Sequence, residues 1–313
     1  MSRVYEALRQ AGLERILAPA DVRPPDASVP EMRELPFVSD ISVPVWEESE
    51  LDGSEPVQLG RWPVPAVTSK SFDWGTIEPF CVDASAESRL VTLGEAKEIG
   101  SEKFRVLRAR LGNLKTKGNI RTVVITSAVP GDGKSLVALN LAISLAKHTE
   151  ERILIIEGDL HKSVFAGRIG LRGSRGLSEW FSSESPIEKH MYHMRDSMLW
   201  VLPAGVPRQH PLGMLQSARF IELMDRLKTN FDWILIDAPP LQPLADVNYL
   251  SQQSDGILLV VREGNTPAKL LKKGLETLDS ARVLGVVFND TQILDRAYYE
   301  GYYCVDGALP AKG

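Results

Sequence analysis

The chain has 313 residues, 43% of them apolar and 25% charged, enough for a globular core in one large domain or two small ones. Its 36 basic and 41 acidic residues leave a net charge of −5, which argues against a dedicated nucleic-acid binder. With only Cys81 and Cys304, no apolar run near the roughly 18 residues of a membrane span and no apolar secretory core at its start, the chain fits a reducing compartment and reads as neither transmembrane, secreted nor disulfide-stapled.

Residues 1–94 read as an acidic, proline-rich, mostly disordered arm. Residues 1–90 hold 10 of the 20 prolines and 8 basic against 16 acidic residues, so a charge of −8 there leaves +3 for the rest. Pro24-Pro25 and Trp62-Pro63-Val64-Pro65 interrupt any long helix or central strand. The first 17 residues are the exception: Ser2 can cap a helix, and Val4, Leu8, Ala11 and Ile16 fall near one face. That helix is either a frayed terminus or a dock for a partner.

From about residue 95 to 290 the pattern predicts one α/β domain. Apolar, β-rich runs recur at Thr122–Thr126, Ile153–Ile156, Leu199–Leu202, Trp233–Ile236, Ile257–Val261 and Val283–Phe288. Helical spacing fills Leu136–Ala146, Met214–Leu227 and Lys269–Leu278. Continuous apolar strands alternating with helices imply a mostly parallel sheet with helices on both faces.

The strongest local signal is Thr126-Ser127-Ala128-Val129-Pro130-Gly131-Asp132-Gly133-Lys134-Ser135, between a predicted strand and a helix opening at Leu136. That order aims backbone N–H groups from Gly131 to Leu136 and the positive end of a helix at one point, which suits a polyphosphate. Lys134 neutralises phosphate oxygens and Ser135 supplies a hydroxyl to Mg²⁺ in the GxxxxGK[ST] loop, whose first glycine is Ala128 here. Two predicted strands run into acids, one at Glu157-Gly158-Asp159 and one at Asp237. Each acid could cap a turn, but paired strand-end acids downstream of a phosphate loop suit Mg²⁺–nucleotide chemistry, with Asp159 and Asp237 on metal waters. Asn289, after the last strand, is a positional candidate for nucleotide contact or a turn cap.

These residues resemble the bacterial tyrosine kinases of capsule and exopolysaccharide synthesis, P-loop NTPases, over roughly residues 95–303. The likeness is carried by Walker A at Ala128–Ser135, Walker A′ at Ile153–His161, Walker B at Ile234–Asp237, Leu202-Pro203-Ala204-Gly205, and Glu102, Arg105 and Arg108 in a Glu-x-x-Arg-x-x-Arg motif. The resemblance implies transfer of the ATP γ-phosphoryl group to tyrosine, with Mg²⁺ as cofactor. Lys134, Asp159 and Asp237 then belong to the catalytic set, and Glu157 is the expected base. The family's Asp-x-Asp-x-Arg reads Glu157-Gly158-Asp159-Leu160-His161 here, one methylene longer at the first acid and without a permanent cation at the last position. Partitioning ATPases, the nearest competitors, carry a second lysine at the position of Val129.

Residues 291–313 complete the chain as an expected mobile tail. Tyr298, Tyr299, Tyr302 and Tyr303 lie within it, without aliphatic partners, and become phosphoacceptors under the resemblance. A packed aromatic cluster is the alternative. The Glu102, Arg105 and Arg108 stripe is a solvated face by spacing alone; the family motif implies a ring-like homo-oligomer in which one tail enters the neighbour's site. The family further implies a cytoplasmic protein recruited to the inner face of the plasma membrane by a membrane-embedded chain-length or export activator. Two other readings stay open: an ATPase assembly switch of the partitioning type, and a non-catalytic nucleotide-binding regulator of polysaccharide export.

Overall fold

The apolar runs become strands of one eight-stranded sheet in a computed structural model of the protein, which describes residues 72–82, 89–94, 99–207, 211–242 and 246–290. In chain order the strands are β1 (Glu78–Phe80), β2 (Thr122–Ser127), β3 (Ile153–Glu157), β4 (Tyr192–Met194), β5 (Leu199–Leu202), β6 (Trp233–Asp237), β7 (Gly256–Arg262) and β8 (Val283–Asn289). They lie in the order β1-β4-β5-β3-β6-β2-β7-β8, and every neighbouring pair is parallel except β4 with β5. The helices are α1 (Ile99–Gly118), α2 (Lys134–His148), α3 (Leu177–Phe181), α4 (Leu212–Leu215), α5 (Ala218–Asn230), α6 (Asp246–Gln252) and α7 (Ala268–Leu275).

Strand alternation divides the apolar side chains into two cores. Val124, Leu154, Ile156, Ile234, Ile236 and Leu259 point to one face, against Leu223 and Leu227 of α5, Leu250 of α6 and Leu271 of α7. Val123, Ile125, Ile153, Ile155, Leu235 and Val260 point to the other, against Leu139, Ile143 and Leu145 of α2. Nearly every side chain of α2 is buried, because the sheet covers one side and α1, through Leu111, covers another. The sheet buried on both faces is the reason its central strands read as unbroken apolar runs.

Two expectations are corrected. The compact body does not begin at residue 95. Residues 72–82 and 89–94 already belong to it, with Phe72, Ile77, Leu90 and Thr92 buried. β1 adds to the sheet beside β4, and its Pro79 is tolerated because an edge strand leaves one side unpaired. Phe72 and Trp74 enter an aromatic cluster with Trp200 and Phe231, at centroid separations of 4.5–5.7 Å. The predicted helix Met214–Leu227 is two helices: the chain breaks after Leu215, and Ser217 caps α5 by accepting from the Phe220 N–H at 3.2 Å. The proposed N-terminal helix and the tyrosine tail lie outside the described residues.

Candidate functional site

The site forms at the carboxyl ends of β2, β3 and β6, where parallel α/β sheets place their ligands. β3 and β6 pair with Glu157 opposite Asp237. β6 and β2 pair with Asp237 opposite Ile125, so two strand-end acids and the start of the phosphate loop share one edge.

Gly131 and Gly133 have φ of +90° and +94°, a left-handed backbone that only glycine adopts without strain. At Gly133 a Cβ would also lie 2.1 Å from Asn289 Nδ2. Asn289 buttresses the loop from β8 by donating Nδ2–H to the Asp132 carbonyl at 2.8 Å. The buried Asp132 carboxylate accepts from Thr266 Oγ1 at 2.8 Å and from the Val129 N–H at 3.3 Å, holding the loop closed from inside. Burial pushes the Asp132 carboxyl up, and those two hydrogen bonds oppose the shift. Ala128 is buried and does not have positive φ, so replacing the pattern's first glycine introduces no backbone strain.

α2 begins at Lys134, whose buried ammonium lies 3.3 Å from Asp159 Oδ2, 3.6 Å from Asp237 Oδ1 and 3.4 Å from Ser135 Oγ. Asp237 is fully buried, and neither carboxylate oxygen has a well-formed hydrogen bond. Burial pushes its pKa up to about 6; the Lys134 ammonium and Ser135 hydroxyl oppose this, and the charges of Glu157 and Asp159 reinforce it. Such an orphaned acid, beside a hydroxyl and a second acid, fits a hard cation. Among the described residues no group of three or more His, Cys, Asp or Glu could hold a metal by itself. Mg²⁺ binds through one or two protein groups, water and phosphate, so it requires no such group.

Glu157, the expected base, is engaged within the protein. Its carboxylate is completely buried and accepts four hydrogen bonds: from the N–H groups of Val164 (2.7 Å), Phe165 (2.9 Å) and Ala204 (3.0 Å), and from Ser163 Oγ (2.9 Å). A general base must have an oxygen within reach of the proton it takes, and the four bonds to this acid join the loops after β3 and β5. Asp159 lines the cavity and accepts from the Lys162 N–H at 3.1 Å. His161, at the family's arginine position, also lines the cavity, with Nε2 2.7 Å from Asp246 Oδ2.

The cavity measures about 650 Å³. It gathers Gly131, Gly133, Lys134, Ser135, Leu136, Asp159 and Asn289, while Asp132 sits behind the loop and Asp237 beneath it. Three arginines with no sequence motif also reach it: Arg89, Arg168 and Arg262. Arg262 is paired with Asp290 at 2.9 and 2.6 Å. A second hollow of about 620 Å³, lined by Arg168, Arg172, Ser174 and Gly205, adjoins the first at Val164 and Arg168. Away from both, on α1, Arg105 pairs with Glu102 at 2.6 Å and Arg108 donates to the Ser144 carbonyl at 3.1 Å. No helix among the described residues is long and apolar enough to cross a membrane.

Residues 120–282 match the AAA domain family, more than half of the chain. The chain is 29% identical over 219 residues to tyrosine-protein kinase YwqD of Bacillus subtilis (strain 168), covering 69% of this chain and 92% of that one. It is 30% identical over 224 residues to CapB of Staphylococcus aureus, covering 71% and 98%. Among solved structures, the chimerical protein CapA2B2 superimposes with a TM-score of 0.61 at 28% identity, over 68% of this chain and 92% of that one. With a phosphate loop, a strand-end acid on each of two neighbouring strands and relatives matched over nearly their whole length, the chain belongs to the bacterial tyrosine kinase family of P-loop NTPases.

Proposed function

We propose that the protein is an Mg²⁺–ATP-dependent protein-tyrosine kinase that phosphorylates its own tyrosine cluster, Tyr298, Tyr299, Tyr302 and Tyr303, and thereby regulates capsule or exopolysaccharide polymerisation and export. The observation that carries this reading is the buried Lys134 between Asp159 and Asp237 at the mouth of a phosphate loop. Phosphoryl transfer passes through a loose transition state and depends mainly on positioning and charge stabilisation. Backbone N–H groups from Gly131 to Leu136 would cradle the phosphates, and Lys134 would neutralise charge as it moves to the leaving oxygen. Ser135, Asp159 and Asp237 would hold Mg²⁺, which supplies charge neutralisation across the phosphates. With Glu157 held by the loop hydrogen bonds and Asp290 paired with Arg262, Asp159 is the cavity acid placed to receive the tyrosine proton.

Family membership supports a ring-like homo-oligomer built through Glu102, Arg105 and Arg108, with a membrane-embedded polysaccharide export protein as activator and recruitment to the inner face of the plasma membrane. Val129, where the partitioning ATPases carry their second lysine, gives no support to an assembly switch. The test is incubation of the purified chain with Mg²⁺–ATP and mapping of phosphosites. Phosphate on the four tail tyrosines, lost in Lys134→Ala, is expected. Tyrosine phosphorylation that survives Lys134→Ala would refute the assignment, and phosphate release without phosphotyrosine would select an ATPase switch.

A further inference from the structure

We propose that Arg89 is a nucleotide-binding residue, carried to the phosphate cavity by a strap of chain that precedes the P-loop domain. The inference rests on the nucleotide-binding reading above and adds a group from outside every motif that supports it. Residues 89–94 are fastened across α2. Asn140, 1% exposed, uses its whole side-chain amide for this: Oδ1 accepts from Thr92 N–H at 3.1 Å and Thr92 Oγ1 at 3.0 Å, and Nδ2 donates to the Arg89 carbonyl at 3.3 Å and the Leu136 carbonyl at 2.9 Å. Lys147 adds bonds to the carbonyls of Thr92 (2.6 Å) and Leu93 (3.3 Å), and Ser101 of α1 donates to Val91 O at 2.7 Å. Leu90 is buried beneath the strap.

A buried amide fully occupied in holding a loop is expensive to leave unsatisfied, so the strap is fixed rather than resting on the surface. Its end has one conformational peculiarity. Arg89 has φ of +53°, a left-handed backbone that strains a residue with a Cβ. The strap holds that strain, and the exposed Arg89 residue lines the cavity with Gly131, Lys134, Ser135 and Leu136.

Charge gives the strained residue a use. Lys134 already faces two carboxylates and Arg262 faces Asp290, whereas Arg89 has no carboxylate partner among the described residues. A guanidinium at the rim of an anion seat, with five donors in a fixed fork, is suited to phosphate oxygens. The ligand class is therefore the polyphosphate chain of a nucleoside triphosphate.

Calorimetric titration of the full chain with Mg²⁺ and a non-hydrolysable ATP analogue tests this, with wild type, Arg89→Ala, Arg89→Lys and Lys134→Ala compared. The expected result is at least about tenfold weaker binding for Arg89→Ala, the size of a lost charge-assisted hydrogen bond. Partial recovery is expected in Arg89→Lys, with an unchanged thermal midpoint for both nucleotide-free variants. Equal affinity of Arg89→Ala and wild type, while Lys134→Ala binds weakly, would overturn the role of Arg89 and leave the kinase reading standing. An absence of binding by wild type itself would remove both.

Discussion

Asp237 is an acid whose charge the nucleotide-free fold disfavours. Its folded pKa, about 6, lies above the ordinary 3.8 because burial outweighs the nearby Lys134 ammonium. Between those values the folded state binds the extra proton, so stability falls as pH rises from about 4 to 6 and stays reduced above that. In chelator and without nucleotide, Asp237→Asn is expected to flatten this slope. It should raise the thermal midpoint at pH 7.5 by a few degrees, corresponding to roughly 1–3 kcal/mol, while lowering Mg²⁺-dependent transfer at least a hundredfold. A midpoint below wild type would mean that attraction to Lys134 outweighs burial. The phosphate loop, Lys134, Ser135 and Asp237 were legible in the sequence because a local spacing encodes them. Arg89, Arg168 and Arg262 were not, since each reaches the cavity from a different stretch of chain and none sits in a motif. Asn289 was legible only as a position. Its use as a buttress depends on a bond to Asp132 across 157 residues of sequence.

At the scale of elements, the six long strands announced themselves as apolar runs. β1 and β4 did not, because three-residue strands at or near a sheet edge need no such run. The strap and β1 were hidden for a related reason: proline and acidic composition describes the arm as a whole, whereas burial of Phe72, Ile77 and Leu90 depends on partners far along the chain. Glu157 shows the same limit. Its place at the end of β3 could be read, but the Ala204 N–H that joins it to the loop after β5 could not. Glu157→Gln tests the clamp against the base role that the family motif implies. As a clamp, replacing one oxygen by an amide NH₂ turns a donor toward the protein's own donors and costs about 2–4 kcal/mol. Transfer activity should then fall in step with the thermal midpoint and recover partly on cooling. A general base would instead lose activity at unchanged midpoint, so thermal denaturation beside initial rates at two temperatures distinguishes them.

At the scale of the whole molecule, β8 ends at Asn289, and Asn289 and the following Asp290 both line the cavity, so the sequence from residue 291 follows directly from a residue of the site. Tyr298 is eight residues beyond Asp290, a reach of at most about 29 Å when extended, so length alone permits both self-modification and modification of a neighbour. The proposed ring favours the neighbour. On α1 the Glu102–Arg105 pair and the Arg108 bond to Ser144 hold the charged stripe in place, and Val106 beside it is 44% exposed. A mixing experiment decides between the routes. Lys134→Ala chains with intact tails serve as acceptors, and chains with all four tail tyrosines changed to Phe serve as donors. Phosphotyrosine on the Lys134→Ala chains, formed at a rate rising with donor concentration, is expected. The rate should drop at least about tenfold when donor and acceptor both carry Arg105→Ala/Arg108→Ala, with light scattering shifted toward the monomer. Each phosphotyrosine adds about −1.5 to −2 charges, so a fully modified tail gains roughly −6 to −8. Phosphorylated chains should therefore scatter as smaller particles than dephosphorylated ones, and the difference should shrink as salt screens the repulsion. Acceptor chains that stay unmodified while wild type labels itself at a concentration-independent rate would place the transfer within one chain and remove the reason for a ring.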